Sequence, residues 1–271
     1  MSDFRSRLKG KKRIIVKIGS ASLIDPETDG IDHERLENLV KVLTDLRKEG
    51  RDVCLVSSGA IAVGSKALGM SGKPDSLPKK QAYAAVGQAK LIQAYDVLFE
   101  EADTMTGQVL LTAITLENPL ARENAVNTFE ELFKLGVIPV VNENDSISTE
   151  EIEQVHTFGD NDRLSALVAE LTGADLLILL SDIDGMYTDD PKNNSDAGLI
   201  SEVEELSDEM WDMAKGTASG GVGTGGMSAK LAAAGIATEN GADMLILNGN
   251  DPENIRKALE GEKIGTLFTA K

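Results

Sequence analysis

Six short apolar runs alternate with helical segments along the chain, and this alternation limits the fold more than any other feature. The runs are RIIVKIG, DVCLVS, QVLLT, VIPVVN, DLLILLS and DMLILNG. Strands that are apolar throughout and are separated by helices indicate a mostly parallel sheet covered on both faces. We therefore predict an α/β fold with helices on both sides of one central sheet.

Two of the intervening segments have clear helical patterns. After the first run, Asp32 is placed to cap a helix with one apolar stripe, and Gly50 is placed to end it. The region KKQAYAAVGQAKLIQAYDVLFEEAD, residues 79–103, carries more apolar surface than one solvent-facing helix needs. Packing on the sheet and a subunit interface both explain that excess.

Length and charge restrict the class of protein. A chain of 271 residues can fold as one large domain without disulfides, and the single cysteine, Cys54, fits a reducing compartment. The net charge of −18 argues against a nucleic-acid surface. Because no apolar stretch approaches the ~20 residues that span a bilayer, we expect a soluble, cytoplasmic protein.

Lys17 is anomalous because it lies within the first apolar run, IIVKIGS. It has two interpretations. In the first, the strand lies at the sheet edge and the lysine extends to water. In the second, Lys17 and the following Gly19 form an oxyanion or phosphate site at the ligand-binding end of a parallel sheet.

A second candidate anion site follows the second strand, in the segment VSSGAIAVG. Ser57, Ser58 and Gly59 join that strand to a helix predicted to begin near Ala60. Helix N-termini present unpaired amides and a partial positive charge, which favour anions. Serine and glycine also serve as ordinary capping residues, so this segment alone is ambiguous.

Short polar side chains cluster after the later strands. Their number exceeds what helix capping and turns require, and they suit an amino group, lysines or hydrated Mg²⁺. Between them, residues 145–162 read as a substrate-covering loop. After the most apolar strand, Ser181 precedes Asp182, which we expect to face a site. The clustered residues are Asn142, Asn144, Asp145, Asp160, Asn161 and Asp162.

The glycine-rich segment GVGTGGMSAKLAAAG, residues 221–235, contains the spacing G-x-G-x-x-G. A dinucleotide site requires a strand immediately before that loop, whereas LSDEMWDMAKGTAS reads as an amphipathic helix. The Walker pattern G-x-x-x-x-G-K-[ST] is absent too. Lys230 instead lies at a helix start, where a cation opposes the helix dipole unless an anionic ligand compensates it. Lys17 and Lys230 together suit phosphoryl transfer.

Eight segments together resemble the amino acid kinase family over essentially the whole chain. DIDGMYTDDP marks only the wider family, whereas SSGAIAVG and NEND are similar to its glutamate-phosphorylating members. The segments are IVKIGS, VSSGAIAVG, KQAYAAVGQAKLIQ, VIPVVNENDS, FGDNDRLSALVA, LLSDIDGMYTDDP, GVGTGGMSAKL and GTLF.

The resemblance implies a three-layer α/β/α sandwich with a mostly parallel central sheet, formed by one domain over residues 1–271 without a C-terminal PUA domain. About 1–170 would mainly bind glutamate and about 171–271 would mainly bind ATP. The implied reaction converts ATP and L-glutamate, with Mg²⁺, to γ-glutamyl phosphate and ADP in proline biosynthesis. The resemblance also implies a homo-oligomer, feedback inhibition by proline and coupling to glutamyl phosphate reductase.

The resemblance also assigns roles to individual residues. Lys17 would hold the transferring phosphoryl group, Lys230 would neutralise charge on the nucleotide, and Asp162 would aim both lysines. Ser58, Gly59, Asp145 and Asn161 would bind glutamate. No direct protein ligand for Mg²⁺ is implied. The residues implied to bind ATP are Lys17, Gly19, Ser181, Asp182, Thr224, Gly225, Gly226, Met227, Ser228, Ala229 and Lys230.

Two alternatives stay open on the sequence alone. One is a family member that phosphorylates a different carboxylate or phosphate acceptor. The other is a non-catalytic amino-acid sensor, although the presence of Lys17, Asp162 and Lys230 favours catalysis.

Overall fold

The computed structural model describes residues 4–25, 28, 30–70, 72, 74–147, 161–191, 193–194, 196–216 and 226–271. Within this part of the chain, eight strands form one sheet. The strands are β1 (Arg13–Ile18), β2 (Asp52–Ser57), β3 (Thr106–Leu111), β4 (Ile138–Glu143), β5 (Leu176–Ser181), β6 (Glu202–Val203), β7 (Asp243–Asn248) and β8 (Thr266–Phe268).

A 3-10 helix, Phe4–Gly10, precedes the sheet, and ten α-helices occur in the described residues. Each of these helices is too short or too polar to span a lipid bilayer. The helices are α1 (Ser20–Leu23), α2 (His33–Lys48), α3 (Ala60–Ala67), α4 (Leu77–Glu101), α5 (Ala113–Glu117), α6 (Pro119–Lys134), α7 (Asn161–Thr172), α8 (Asp208–Gly216), α9 (Met227–Glu239) and α10 (Asn254–Leu259).

The strand order is β3-β4-β2-β1-β5-β7-β8-β6. All six predicted strands are present and run parallel to one another, so the predicted mostly parallel sheet is confirmed. Two short strands were not predicted. They are β6 and β8, and β8 pairs antiparallel with β7.

Two separate cores cover the faces of the sheet, which confirms the three-layer α/β/α architecture. One core joins the sheet to α2, α4 and α10, and the other joins it to α6, α7, α8 and α9. Successive side chains of a strand point to opposite faces. In β1, Ile14, Val16 and Ile18 therefore enter the first core, while Ile15 enters the second.

The position of β1 decides between the two interpretations of Lys17. Lys17 pairs with Val56 of β2 on one side and with Leu179 of β5 on the other. The strand is therefore central, and the edge-strand interpretation is wrong. Because Lys17 is two residues from Ile15, its side chain points to the sheet face that α7 and α9 cover.

Helices α3 and α4 approach each other through two glycines. A Cβ atom at Gly64 would lie 1.8 Å from the carbonyl oxygen of Tyr83, and one at Gly87 would lie 1.7 Å from that of Ala60. Backbone atoms cannot yield as a flexible side chain can. Glycine at both positions is thus required for this packing, which fixes the first turn of α3 after the segment Ser57–Gly59.

We expect Gly64→Ala and Gly87→Ala each to lower the free energy of unfolding by about 2–4 kcal/mol, because the added methyl group forces the helices apart. Gly235→Ala is the matched control, since a Cβ atom at Gly235 would lie 3.6 Å from Leu206 Cδ1, which is an ordinary contact. The control should be neutral or stabilising by up to about 1 kcal/mol. Urea unfolding of the three variants tests the prediction, and equal stability of all three would contradict it.

Candidate active site

The carboxyl ends of the central strands bring the candidate residues to one edge of the sheet. Strand pairing aligns Ile18 of β1 with Ser57 of β2 and with Leu180 of β5. The next residues, Gly19, Ser58 and Ser181, therefore lie in one row across three strands. Since β1 has its chain-order neighbour β2 on one side and β5 on the other, this edge is the topological switch point where α/β proteins bind ligands.

A carboxylate shared by two lysines forms the centre of this edge. Asp162 is fully buried, and its Oδ1 lies 2.5 Å from Lys17 Nζ. Its Oδ2 accepts a hydrogen bond from Lys230 Nζ at 2.9 Å. Lys17 is 6% exposed and Lys230 is 7% exposed, so both lysines are buried with the carboxylate. The resemblance predicted these three residues together, and the structure places them in direct contact.

Three elements of the same core position this group. Lys17 points from β1 to the face that α7 and α9 cover, as Ile15 does. Asp162 lies in the first turn of α7, where a negative charge is favoured by the helix dipole. Lys230 lies in the first turn of α9, which begins at Met227, so it is at a helix start as the sequence indicated. Its charge opposes the α9 dipole, and Asp162 compensates for part of that cost.

The ionisation of Asp162 follows from these contacts. Burial by itself would raise the pKa of this carboxyl, but the charges of Lys17 and Lys230 and their hydrogen bonds lower it below its ordinary value. Asp162 is therefore a carboxylate near neutral pH. Two ammonium groups and one carboxylate leave a net charge of +1, which suits an anionic ligand.

A cluster of amides and hydroxyls lies next to the lysines. Asn161 Nδ2 is 2.8 Å from both the carbonyl oxygen of Ser57 and Ser58 Oγ, and 3.0 Å from Asn142 Oδ1. These contacts bring the ends of β2 and β4 together with the start of α7. Ser58, Asn161 and Asn142, predicted from separate segments, thus form one group, whereas Asn144 contacts its near neighbour Ser146.

Gly59 and Asp145 flank this cluster. Gly59 has a φ angle of 97° and precedes α3, so a residue with a Cβ atom would be strained at this helix start. Asp145 is half-buried just beyond β4. Burial raises the pKa of Asp145 to about 6, and the charge of Lys80 offsets only part of that effect.

The residues predicted to bind nucleotide are only partly described. Ser181 is 6% exposed at the end of β5, and its Oγ lies 3.2 Å from Oδ1 of the exposed Asp182. Gly226 caps α9, whose first turn contains Met227, Ser228, Ala229 and Lys230. A Cβ atom at Gly19 would lie 3.5 Å from Lys17 Nζ. The residues that lie outside the described part of the chain are Thr224 and Gly225, Gly221 and Gly223 of the G-x-G-x-x-G spacing, and the loop residues 148–160, which include Asp160.

Two polar residues of α4 were missed as members of the site. Gln88 Oε1 accepts a hydrogen bond from Asn142 Nδ2 at 2.8 Å, and the hydroxyl groups of Tyr95 and Ser57 lie 2.9 Å apart. A signal existed in the sequence, because Gln88 follows the contact residue Gly87 and Tyr95 lies two helical turns further along the same face. Their connection to the site becomes visible only in the structure, where Gln88 contacts the end of β4 and Tyr95 contacts the end of β2.

The shared carboxylate predicts two different effects on stability. Asp162→Asn leaves two buried ammonium groups without their carboxylate, and we expect it to lower the free energy of unfolding by about 3–5 kcal/mol. Lys17→Met leaves a neutral pair of Asp162 and Lys230, and we expect a change below about 1 kcal/mol. Urea unfolding at pH 7 measures both values. Equal destabilisation by the two substitutions would contradict the shared-carboxylate arrangement.

Comparisons with known proteins show the family to which the chain belongs. The sequence profile described as "Amino acid kinase family" matches residues 12–248. The chain is 48% identical to the glutamate 5-kinase of Clostridium perfringens over 98% of both chains, and 45% identical to that of Enterococcus faecalis over 97% of both.

Solved structures resemble it in fold. An isopentenyl phosphate kinase of T. acidophilum matches with a TM-score of 0.63 at 19% identity, covering 95% of this chain and all of that one. A UMP kinase of Ureaplasma parvum matches with a TM-score of 0.63 at 16% identity, covering 96% and 99%. On the family profile and the close relatives, the chain belongs to the amino acid kinase family and, within it, groups with the glutamate 5-kinases.

Proposed function

We propose that this chain transfers the γ-phosphoryl group of ATP to the γ-carboxylate of L-glutamate, the first step of proline biosynthesis from glutamate. The observation that carries the proposal is the pair of lysines on Asp162, which lies directly beside a cluster of polar groups at the carboxyl edge of the sheet. The first group suits phosphates, and the second suits an amino acid.

The lysine pair accounts for the phosphoryl transfer. An oxygen of the glutamate γ-carboxylate forms a bond to the γ-phosphorus, the bond to the bridging oxygen breaks, and ADP leaves with that electron pair. Lys17 would neutralise charge on the transferring group and Lys230 on the nucleotide, while Asp162 holds both in place. A carboxylate with a pKa of ~4.3 is already ionised near neutral pH. The reaction therefore needs no general base.

The polar cluster can distinguish the groups of glutamate. Its α-ammonium is the only charged donor, so the acceptors Asn161 Oδ1 and Asp145 suit that group. Ser58 Oγ accepts from Asn161, which leaves the serine hydrogen available to a carboxylate oxygen. The amides at the start of α3, after Gly59, favour the same kind of anion.

The strand order supports a division of labour between the two parts of the chain. Residues up to about 170 supply β1 to β4 and the polar cluster, and residues from about 171 supply β5 to β8 and α9. We place glutamate on the first side and ATP on the second. Gly19, Ser181, Asp182 and the segment Thr224–Lys230 are the proposed nucleotide contacts, and Lys17 lies between the two sides.

Mg²⁺ would arrive with ATP. Among the described residues, no group of three or more His, Cys, Asp or Glu side chains could hold a metal ion. Both oxygens of Asp162 already face lysines. The phosphates and water would therefore supply most ligands, which is usual for Mg²⁺ in kinases. When bound, the ion would neutralise charge on the leaving ADP.

Other parts of the proposal rest on the family resemblance. They are a homo-oligomeric state, a cytoplasmic location, proline as a feedback inhibitor, and glutamyl phosphate reductase as the enzyme that uses the product. No nucleic-acid or membrane partner is proposed.

A hydroxylamine-trapping assay with ATP and Mg²⁺ tests the reaction. We expect acyl-hydroxamate formation with glutamate to exceed that with aspartate or acetylglutamate, and ADP release with UMP to stay at background. Lys17→Met should reduce turnover at least about 100-fold, because it removes a charge that neutralises the transition state. Faster turnover of another acceptor would refute the substrate assignment, and ligand binding without ADP release would support the sensor alternative.

The raised pKa of Asp145 gives a pH prediction. Protonated Asp145 has lost the charge that attracts an ammonium group, so KM for glutamate should rise as pH falls below about 6. The substrate carboxylates stay ionised between pH 5 and 7 and do not contribute. Asp145→Asn should have a high KM that varies little with pH in this range. Steady-state kinetics from pH 5 to 8 measure both, and the same pH dependence in the variant would contradict the assignment.

A further inference from the structure

Helix α4 connects to the candidate site through two side chains that lie two turns apart. Gln88 contacts Asn142 at the end of β4, and Tyr95 contacts Ser57 at the end of β2. Both strand ends contact Asn161 in turn. The close packing at Gly64 and Gly87 holds α4 beside them. Gln88 thus reaches the amino-acid side of the site through one intermediate, Asn142.

Backbone groups at both ends of this chain fix the direction of every amide. The N–H of Glu143 donates to Asn142 Oδ1 at 2.9 Å, and a backbone N–H can only donate. Asn142 must therefore point its Nδ2 at Gln88, which supplies the accepting Oε1. At the other end, the carbonyl oxygen of Ser57 can only accept, so Asn161 must point Nδ2 towards it. The Oδ1 of Asn161 then lies on the side of the amide away from the three acceptors of its Nδ2, which belong to Ser57, Ser58 and Asn142.

We propose that Gln88 is a positioning residue that orients Asn161, through Asn142, so that the Oδ1 of Asn161 accepts from the α-ammonium of the amino acid. This inference rests on the proposed function. Without the acceptor on Gln88, Asn142 Nδ2 loses its partner. Rotating the Asn142 amide would not restore the network, because Nδ2 would then face two other donors, the Glu143 N–H and Asn161 Nδ2.

The test substitutes Gln88 with a residue of similar size that cannot accept a hydrogen bond. We expect Gln88→Leu to raise KM for glutamate about tenfold, while KM for ATP and kcat change less than about twofold. Gln88→Glu keeps an accepting oxygen and should stay within about threefold of the wild-type KM. Gln93→Leu is the matched control, since Gln93 is an exposed glutamine of the same helix. It should match the wild type.

Glutarate is glutamate without the α-amino group, so its binding does not depend on an acceptor for an ammonium group. Measuring inhibition by glutarate therefore distinguishes a misoriented acceptor from general damage to the pocket. The inhibition constant of glutarate against glutamate should change less than about twofold in Gln88→Leu. If thermal unfolding shows that this variant is less stable than Gln93→Leu, Gln88→Ala replaces it with the same expectations.

Three results would overturn the inference. They are an unchanged glutamate KM in the variant without an acceptor, an equal rise in KM in Gln88→Glu, and an equal weakening of glutarate inhibition. Failure of the proposed function itself is recognised separately, since the wild-type protein would then not phosphorylate glutamate.

Discussion

The buried carboxylate of Asp162 is the interaction on which the site depends. It brings a lysine from the central strand and a lysine from α9 into one group, although the chain separates these residues widely. Removing this carboxylate while the ammonium groups stay buried would cost several kcal/mol. Because Asn161 and Asp162 are the first two residues of α7, the placement of that helix on the sheet positions the recognition side and the phosphate side together. In α7, Asp162 thus pairs with the two lysines, and the preceding residue, Asn161, belongs to the polar cluster proposed to bind glutamate.

The recognition side has a different kind of support, since hydrogen bonds and close packing replace charge. Gly64 and Gly87 allow the backbones of α3 and α4 to pack in direct contact. In this position, Gln88 and Tyr95 of α4 contact the ends of β4 and β2. A neutral network suits this role. A half-buried acceptor such as Asn161 Oδ1 can bind an ammonium group without adding to the charge of Asp145 a second negative charge that would repel the carboxylates of the same ligand.

The sequence was sufficient for the fold because parallel strands covered by helices produce short continuous apolar runs, and all six such runs are strands. It missed β6 and β8, which have two and three residues and are too short to show a pattern. Motifs identified Lys17, Asp162 and Lys230, but only the strand order showed that β1 is a central strand and that Lys17 does not lie on an edge strand. Gln88 was missed because its purpose depends on Asn142, 54 residues away, and one sequence contains no record of such contacts.

The negative net charge of the chain makes the lysine pair the local source of attraction for an anionic ligand. A protein with a net charge of −18 repels ATP at long range, so attraction has to be local. Screening at physiological salt limits the long-range repulsion to about 8 Å, whereas Lys17 and Lys230 are buried and act at short range. Asp162 cancels only one of their two charges. The remaining positive charge becomes fully compensated when a phosphate group binds, and this explains why so acidic a chain can retain two buried lysines at the end of its sheet.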